Sequence, residues 1–221
     1  MNNKRIAFTL AEVLITLGII GVVAALTMPS LIQNYRKHVV ETKLAKVYSV
    51  MNQAIKMVSA EYGEPTVWMK DCGITVSPTC TRDEAMEWFK AYIGKHLNVL
   101  KIVPGSDTIS NLFLVYFSDG SILSVNESLY EIVYYIDEKA LKNVQLGKNA
   151  FHFRFNPLLK NQSIDLNIMK SNFEPYNHNW DGKRESLFTN EPFGCTKSGS
   201  YCTKLIQMNG WKIPKDYPIK F

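Results

Sequence analysis

The chain has 221 residues, 46% of them hydrophobic and 20% charged, with 25 Lys and Arg against 20 Asp and Glu and a net charge of +5. That balance suits one globular domain with an anchor and excludes a disordered tail or a multidomain enzyme. The charge is too small to argue nucleic-acid binding by itself, and it falls by two if Lys4 and Arg5 leave with a leader.

The stretch Ala7 to Leu26, AFTLAEVLITLGIIGVVAAL, has only Thr9, Glu12 and Thr16 as polar side chains. Roughly 20 such residues at 1.5 Å rise span about 30 Å, the thickness of a bilayer's hydrocarbon core, so a membrane helix is expected. Glu12 is the anomaly, because a carboxylate inside such a helix costs about 2.5 to 3.5 kcal/mol. It needs a cation, and nothing later in the stretch is basic. A cut between Ala7 and Phe8 would create an α-amino group close to Glu12, or available to the Glu12 of a neighbouring copy. Lys4 and Arg5 precede that point as a cytoplasmic basic flank would, and Ala7 is small enough for a peptidase pocket.

The segment KRIAFTLAEVLITLGIIGVVAALTMPSLI resembles the N-terminal methylation segment of type IV prepilins and type II secretion pseudopilins. The resemblance implies a prepilin peptidase that cuts after Ala7 and methylates the new amine of Phe8, and a filament in which Glu12 meets the N-terminal amine of an adjacent subunit. It covers about the first 30 residues, with Ala7 where the family usually has Gly. It also implies that the backbone between Gly21 and Pro29 loosens on assembly. Two plainer readings compete. One is a secretory signal cut after Val23-Ala24-Ala25, which Glu12 would spoil; the other is a membrane anchor without assembly.

The helix is expected to continue past Pro29 as a kink. Leu44, Val47, Tyr48, Met51, Ala54, Ile55 and Val58 recur at three- and four-residue steps, with Lys43, Lys46, Asn52, Gln53 and Lys56 on other faces. Gly63 and Pro65 then supply the stop. The expectation is one helix over residues 8 to 62, about 80 Å long, with a transmembrane part at 8 to 28 and an amphipathic half whose apolar stripe lies on a body formed by residues 63 to 221. Gly18, Gly21, Ala24 and Ala25 would permit close helix approach.

The cysteines fall into two groups, Cys72 with Cys80 and Cys195 with Cys202. Four cysteines allow three pairings; the local one closes the shortest loops, and a zinc site is the rival, although the spacing is wrong for a zinc knuckle and no His is near. Disulfides would place the body outside the cytoplasm, whereas Arg36, Lys37, Lys43 and Lys46 after the span keep basic-residue counting from fixing the orientation.

Farther on, Thr81-Arg82-Asp83-Glu84 has the form of a capping box that opens a short helix, with Met86, Phe89, Tyr92 and Ile93 on its apolar side and Gly94 as its stop. Asn111 to Phe117 and Ser121 to Val125 read as strands joined by Ser118-Asp119-Gly120, and Glu131 to Ile136 and Phe151 to Phe155 as two more. Four antiparallel strands are thus expected to cover the helix. The resulting fold class is α+β: a long helix on a small antiparallel sheet, the arrangement that pilins and pseudopilins share. Tyr134 to Asp137 and Gly147 to Phe153 resemble the pseudopilin segment with an acidic turn, a Gly and an aromatic strand; Asn-Gly and Pro-Asn, usual there, are absent, so no function of that turn is carried over.

Beyond Pro157 the chain reads as long and irregular, pinned by Trp180, Phe188, Phe193, Tyr201, Trp211 and Tyr217, with one short helix over Ser200 to Met208. Asn177-His178-Asn179-Trp180-Asp181-Gly182 copies half of a calcium loop; Phe188 stands where the closing Glu belongs, so Asn177, Asn179 and Asp181 are a weak calcium candidate beside a plain Asx turn. His38, His96, His152 and His178 are scattered, and no Ser or Cys has the context of an activated nucleophile, so no enzyme and no other cofactor are expected. Trp211-Lys212 and Trp68-Met69-Lys70 have the makings of stacking platforms for single-stranded DNA, but packing explains them more simply and nucleic acid is not expected as a partner.

The functional expectation is a structural subunit, inserted in the bacterial inner membrane by a single span with its leader inside and its body periplasmic or extracellular. It would assemble, alone or with other pilins or pseudopilins, into a type II secretion pseudopilus or a type IV pilus-like filament. A minor pilin of a DNA-uptake or adhesion pilus is the nearer alternative, and a membrane-anchored envelope binding protein or enzyme the more distant one.

Overall fold

The structure is a computed structural model that describes residues 9–70, 72, 80–105, 112–126, 129–156 and 171–221. The chain divides into two compact units, Met1–Val39 with Phe221 and Val40–Lys220.

Helix α1 spans Leu10–Tyr62 and contains Pro29. In the first unit its large aliphatic residues from Leu10 to Ile32 lie in the open, with Leu10 at 78% exposure, Leu26 at 76% and Leu31 at 69%. In the second unit α1 is amphipathic: Val40, Leu44, Val47, Met51, Ala54, Ile55 and Val58 are buried at the expected steps. Tyr48 is only half-buried, since it turns toward the edge of the sheet. Gly63 closes the helix at φ +92°, donating to the Ser59 carbonyl at 3.0 Å. This is a left-handed stop that a side chain would resist.

Among the described residues six strands form one antiparallel meander: β1 Val99–Pro104, β2 Phe113–Phe117, β3 Ile122–Val125, β4 Glu131–Tyr135, β5 Ala150–Phe155 and β6 Phe173–Pro175, in that order. The expected four are β2 to β5, and the structure adds an edge strand on each side. Strand register puts Phe113, Val115, Leu123, Tyr134, Phe151, Phe153 and Phe173 on one face, all of them buried, to meet the stripe of α1. The opposite face carries Ile122, Tyr135 and Ala150, which pack with Ala140 of helix α4, Lys139–Lys142. Strand β3 is therefore covered on both sides, which is why it reads as an apolar run rather than an alternation.

Polar side chains of α1 clamp the sheet as well. Lys46 pairs with Asp119 in the β2–β3 turn at 2.6 Å, and Lys43 donates to the Ile136 carbonyl at 2.6 Å. Burial pushes the Asp119 carboxyl up, but Lys46 and the hydroxyl and amide of Ser121 outweigh it and hold the group at about 2. Asn52 lies against the free edge of β6, where its Nδ2 donates to the Phe173 carbonyl at 2.8 Å and its Oδ1 accepts from the Phe173 amide at 3.2 Å. One amide side chain thus satisfies both backbone groups of an edge residue, as a further strand would.

Helix α2, Pro65–Trp68, follows α1, and helix α3, Arg82–Ala91, opens on the expected capping box. Thr81 Oγ1 accepts from the Glu84 amide at 3.3 Å, and Glu84 returns by accepting from the Thr81 amide at 2.8 Å. The C-terminal segment, read as largely irregular, contains the expected short helix as α6, Cys202–Met208, and holds more structure besides: β6 and helix α5 at Ser186–Thr189. It has its own core of Tyr176, Trp180, Leu187, Cys195, Tyr201, Cys202 and Leu205, with Phe188, Phe193, Tyr217 and Ile219 packed against it.

Candidate functional site: the head of the long helix

Ala7 and Phe8, the expected cleavage and methylation positions, lie outside the described residues, as does the rest of the expected leader. Glu12 stands in the first turn of α1. Its Oε2 accepts from the Thr9 amide at 2.9 Å and from Thr9 Oγ1 at 2.8 Å, while Thr9 Oγ1 accepts from the Glu12 amide at 3.2 Å. These contacts make Thr9-Leu10-Ala11-Glu12 a second capping box, with the same spacing as the Thr81 box, at the start of the apolar helix. Sequence reasoning sought the partner of Glu12 only in a cation, although the Thr-x-x-Glu spacing was there to be read. The hydrogen bonds to this carboxylate among the described residues fall on Oε2 and leave Oε1 uncommitted.

The residues that follow suit lateral packing. Gly18 and Gly21 have no atom within 4 Å of where a Cβ would stand, so a neighbouring helix can approach there. Helix α1 runs through Pro29 without ending. Thr16 Oγ1 donates to the Glu12 carbonyl at 2.9 Å and Thr27 Oγ1 to the Val23 carbonyl at 2.9 Å, so both hydroxyls are satisfied within the helix itself. Among the described residues α1 is the one helix long and apolar enough to cross a membrane.

The cysteines form two local disulfides, Cys72–Cys80 and Cys195–Cys202. This selects the shortest-loop pairing and removes the zinc alternative, since no free cysteine remains. Cys72 is fully buried, and Cys202 lies in the C-terminal core beside Gly147, where a Cβ would stand 2.5 Å from the Cys202 sulfur.

Of the calcium candidates, Asp181 uses both carboxylate oxygens locally: Oδ1 accepts from the Lys183 amide at 2.9 Å and Oδ2 from Ser186 Oγ at 2.8 Å. Those donors hold its carboxyl below the usual range. Asn179 takes a left-handed φ of +59°, Asn177 is buried with an unpartnered Nδ2, and Glu191 pairs with Lys197 at 2.6 Å. The geometry is that of an Asx turn. No group of three or more His, Cys, Asp and Glu able to hold a metal occurs among the described residues.

A buried polar network that the sequence did not disclose lies where β6, α6 and α1 meet. Glu174, 1% exposed, accepts from Tyr48 at 2.9 Å and Ser171 at 3.0 Å on Oε1, and from Gln207 at 2.8 Å on Oε2, with Lys204 Nζ at 3.5 Å. Burial pushes the Tyr48 hydroxyl up to about 12, so it stays a donor. With four donors around it the carboxylate is fully compensated and serves to fix these elements.

Comparison with known proteins divides the chain close to Pro29. Residues 2–28 match the prokaryotic N-terminal methylation motif. Residues 30–221 match a family of unknown function, DUF6613. No curated protein and no solved structure matches the chain. The first match gives the chain a prepilin-type head of the type IV pilin-like kind, a motif that implies peptidase processing and pilin-type assembly. The second covers most of the chain, which therefore belongs to the DUF6613 family, a family of unknown function.

Proposed function

We propose that this chain is a structural subunit of a pseudopilus or type IV pilus-like filament, cut before Phe8 and assembled through the first half of α1. The observation that carries the reading is Glu12. It is the only charged side chain between Arg5 and Arg36, it sits in the methylation motif, and its Oε1 is left free by its contacts with Thr9. An unpaired carboxylate in an apolar helix is retained only where something uses it, and the new amine of Phe8 on an adjacent copy is the cation at matching depth. In this reading the leader faces the cytoplasm, the residues around Gly21 pack against neighbouring helices, and the body stands outside, where its two disulfides persist. The prepilin peptidase is the first partner, other pilins or pseudopilins the next. A secretion pseudopilus is favoured over an adhesion or DNA-uptake pilus by the aromatic strand Phe151 to Phe155 following the Gly147 turn.

The test is intact-mass and N-terminal analysis of the protein recovered from its native cells. Loss of residues 1–7 with a methyl group on Phe8 is expected. A cut near Ala25, or an intact Met1, would overturn the proposal and leave a secreted or simply anchored domain.

A further inference from the structure

A groove of about 500 Å³ lies between α1 and the segment that follows α6. It is lined by Tyr48, Ser49, Gln53, Lys56, Asn172 and Trp211 among others, and its size falls within the roughly 300 to 1,000 Å³ of small-molecule sites.

Its walls are built rather than incidental. The rings of Tyr48 and Trp211 meet at 42° with centroids 4.9 Å apart, forming an aromatic corner. Tyr48 is fixed from behind, since its hydroxyl reaches both the buried Glu174 carboxylate and Ser171. Trp211 holds φ +62°, a left-handed backbone that costs a bulky residue on the order of 1 to 3 kcal/mol. The cost is borne by its amide bond to the Ile206 carbonyl at 3.0 Å and by Asn209, whose Nδ2 clasps the Lys212 carbonyl at 2.9 Å.

The chemistry of the lining narrows the ligand. Among the described residues no acidic side chain lines the groove, which argues against a cation site, and the one lysine among them is too little for a nucleic-acid backbone. What remains is a flat aromatic corner facing an amide, hydroxyls and one ammonium: Gln53, Ser49 and Lys56 are exposed on successive turns of α1, and Asn52 beside them is already committed to Phe173. A pyranose ring presents that pairing of surfaces, an apolar C–H face for the rings and rim hydroxyls for the polar groups. We propose that this groove binds a saccharide, with Lys56 favouring a sugar that carries a carboxylate. The site uses only residues of the second compact unit and does not depend on filament assembly.

The experiment is saturation-transfer NMR on the full chain in a phosphocholine detergent, which brings no sugar headgroup of its own. The probes are glucose, galactose, N-acetylglucosamine and glucuronic acid, with adenosine monophosphate as the stacking control. Transfer to at least one of the four sugars is expected, with glucuronic acid strongest. It should fall at least fivefold in the Gln53→Ala/Lys56→Ala double variant, whose two positions are exposed and leave the circular dichroism spectrum unchanged. No transfer from any of the four sugars, equal transfer in the double variant, or stronger transfer from the nucleotide overturns the proposal. Because unassembled protein is measured, none of these outcomes bears on cleavage before Phe8.

Discussion

Strand β5 turns His152 away from the α1 face, where its ring stacks on Tyr176 at 4.0 Å and its buried Nδ1 has no hydrogen-bond partner. Glu131 of β4 is the nearest carboxylate, but at 3.8 Å from Nε2 it is too distant to bond, and its side chain is 44% exposed and so screened by water. Arg154 lies on the same strand, and His178 stands at 3.5 Å from that guanidinium. Burial first, and then the Arg154 charge, push the imidazole down to about 4. The unfolded chain, with its value near 6.5, therefore binds the extra proton between these two pH values. Stability from this group is full above about pH 6.5 and is lost as pH falls toward 4, by about 3 kcal/mol across the window. The measurement is urea unfolding of the full chain at pH 7.0 and pH 4.5, comparing wild type with His152→Phe, which keeps the stack. The wild type should lose more stability than the variant; equal losses would mean that His152 titrates in the folded protein as it does in the unfolded chain.

At the scale of elements, the sheet depends on how its edges are finished. Asn52→Ala removes both partners of Phe173 at once, and an unsatisfied buried backbone group costs about 1 to 3 kcal/mol. Some water reaches this edge, so a loss of about 2 kcal/mol is expected in the urea midpoint of the full chain, whereas Gln53→Ala, one residue along and exposed, should change it little. A change at Asn52 no larger than that at Gln53 would assign the edge to water instead. This contrast also marks how far sequence reaches. The stripe of α1 and strands β2, β4 and β5 were legible because burial on one face sets their periods, and β3 because it is a short apolar run after the Ser118-Asp119-Gly120 turn signal. Asn52 was placed on a polar face, since nothing in its neighbourhood reveals that an edge strand passes beside it. Strand β6 has three residues including Pro175, and β1 breaks its alternation at a bulge that leaves Leu100 70% exposed, so neither carries a strand period to detect. The capping box at Thr81 was legible for the opposite reason: it is a four-residue rule in a polar context. The same rule at Thr9 was hidden by the apolar run around it.

At the scale of the whole molecule, the motif ends at residue 28 and the family match begins at 30, so head and body are recognised separately. The head was legible from sequence because a single acid in an apolar run has few explanations; the C-terminal core was not, because Tyr176, Trp180, Leu187 and Tyr201 come together without any period. Assembly should then hinge on one atom of the head. Within one chain Thr9 already bonds Oε2 of Glu12, and under the proposed assembly the remaining Oε1 would receive a neighbour's amine. Glu12→Gln keeps a polar side chain that Thr9 can still hold, but it removes the charge, and the insertion cost of about 2.5 to 3.5 kcal/mol that the ion pair would relieve no longer favours assembly over the lipid-embedded subunit. The variant should therefore insert at least as well as wild type yet enter filaments on the order of 100-fold less often, the ratio that about 2.7 kcal/mol sets. Co-expression of tagged wild-type and Glu12→Gln chains, followed by shearing and quantitative mass spectrometry of the membrane and filament fractions, measures that ratio within one cell. Equal partition of the two chains would show that the carboxylate is not what joins the subunits, and absence of both from the filament fraction would make the anchored, unassembled protein the better reading.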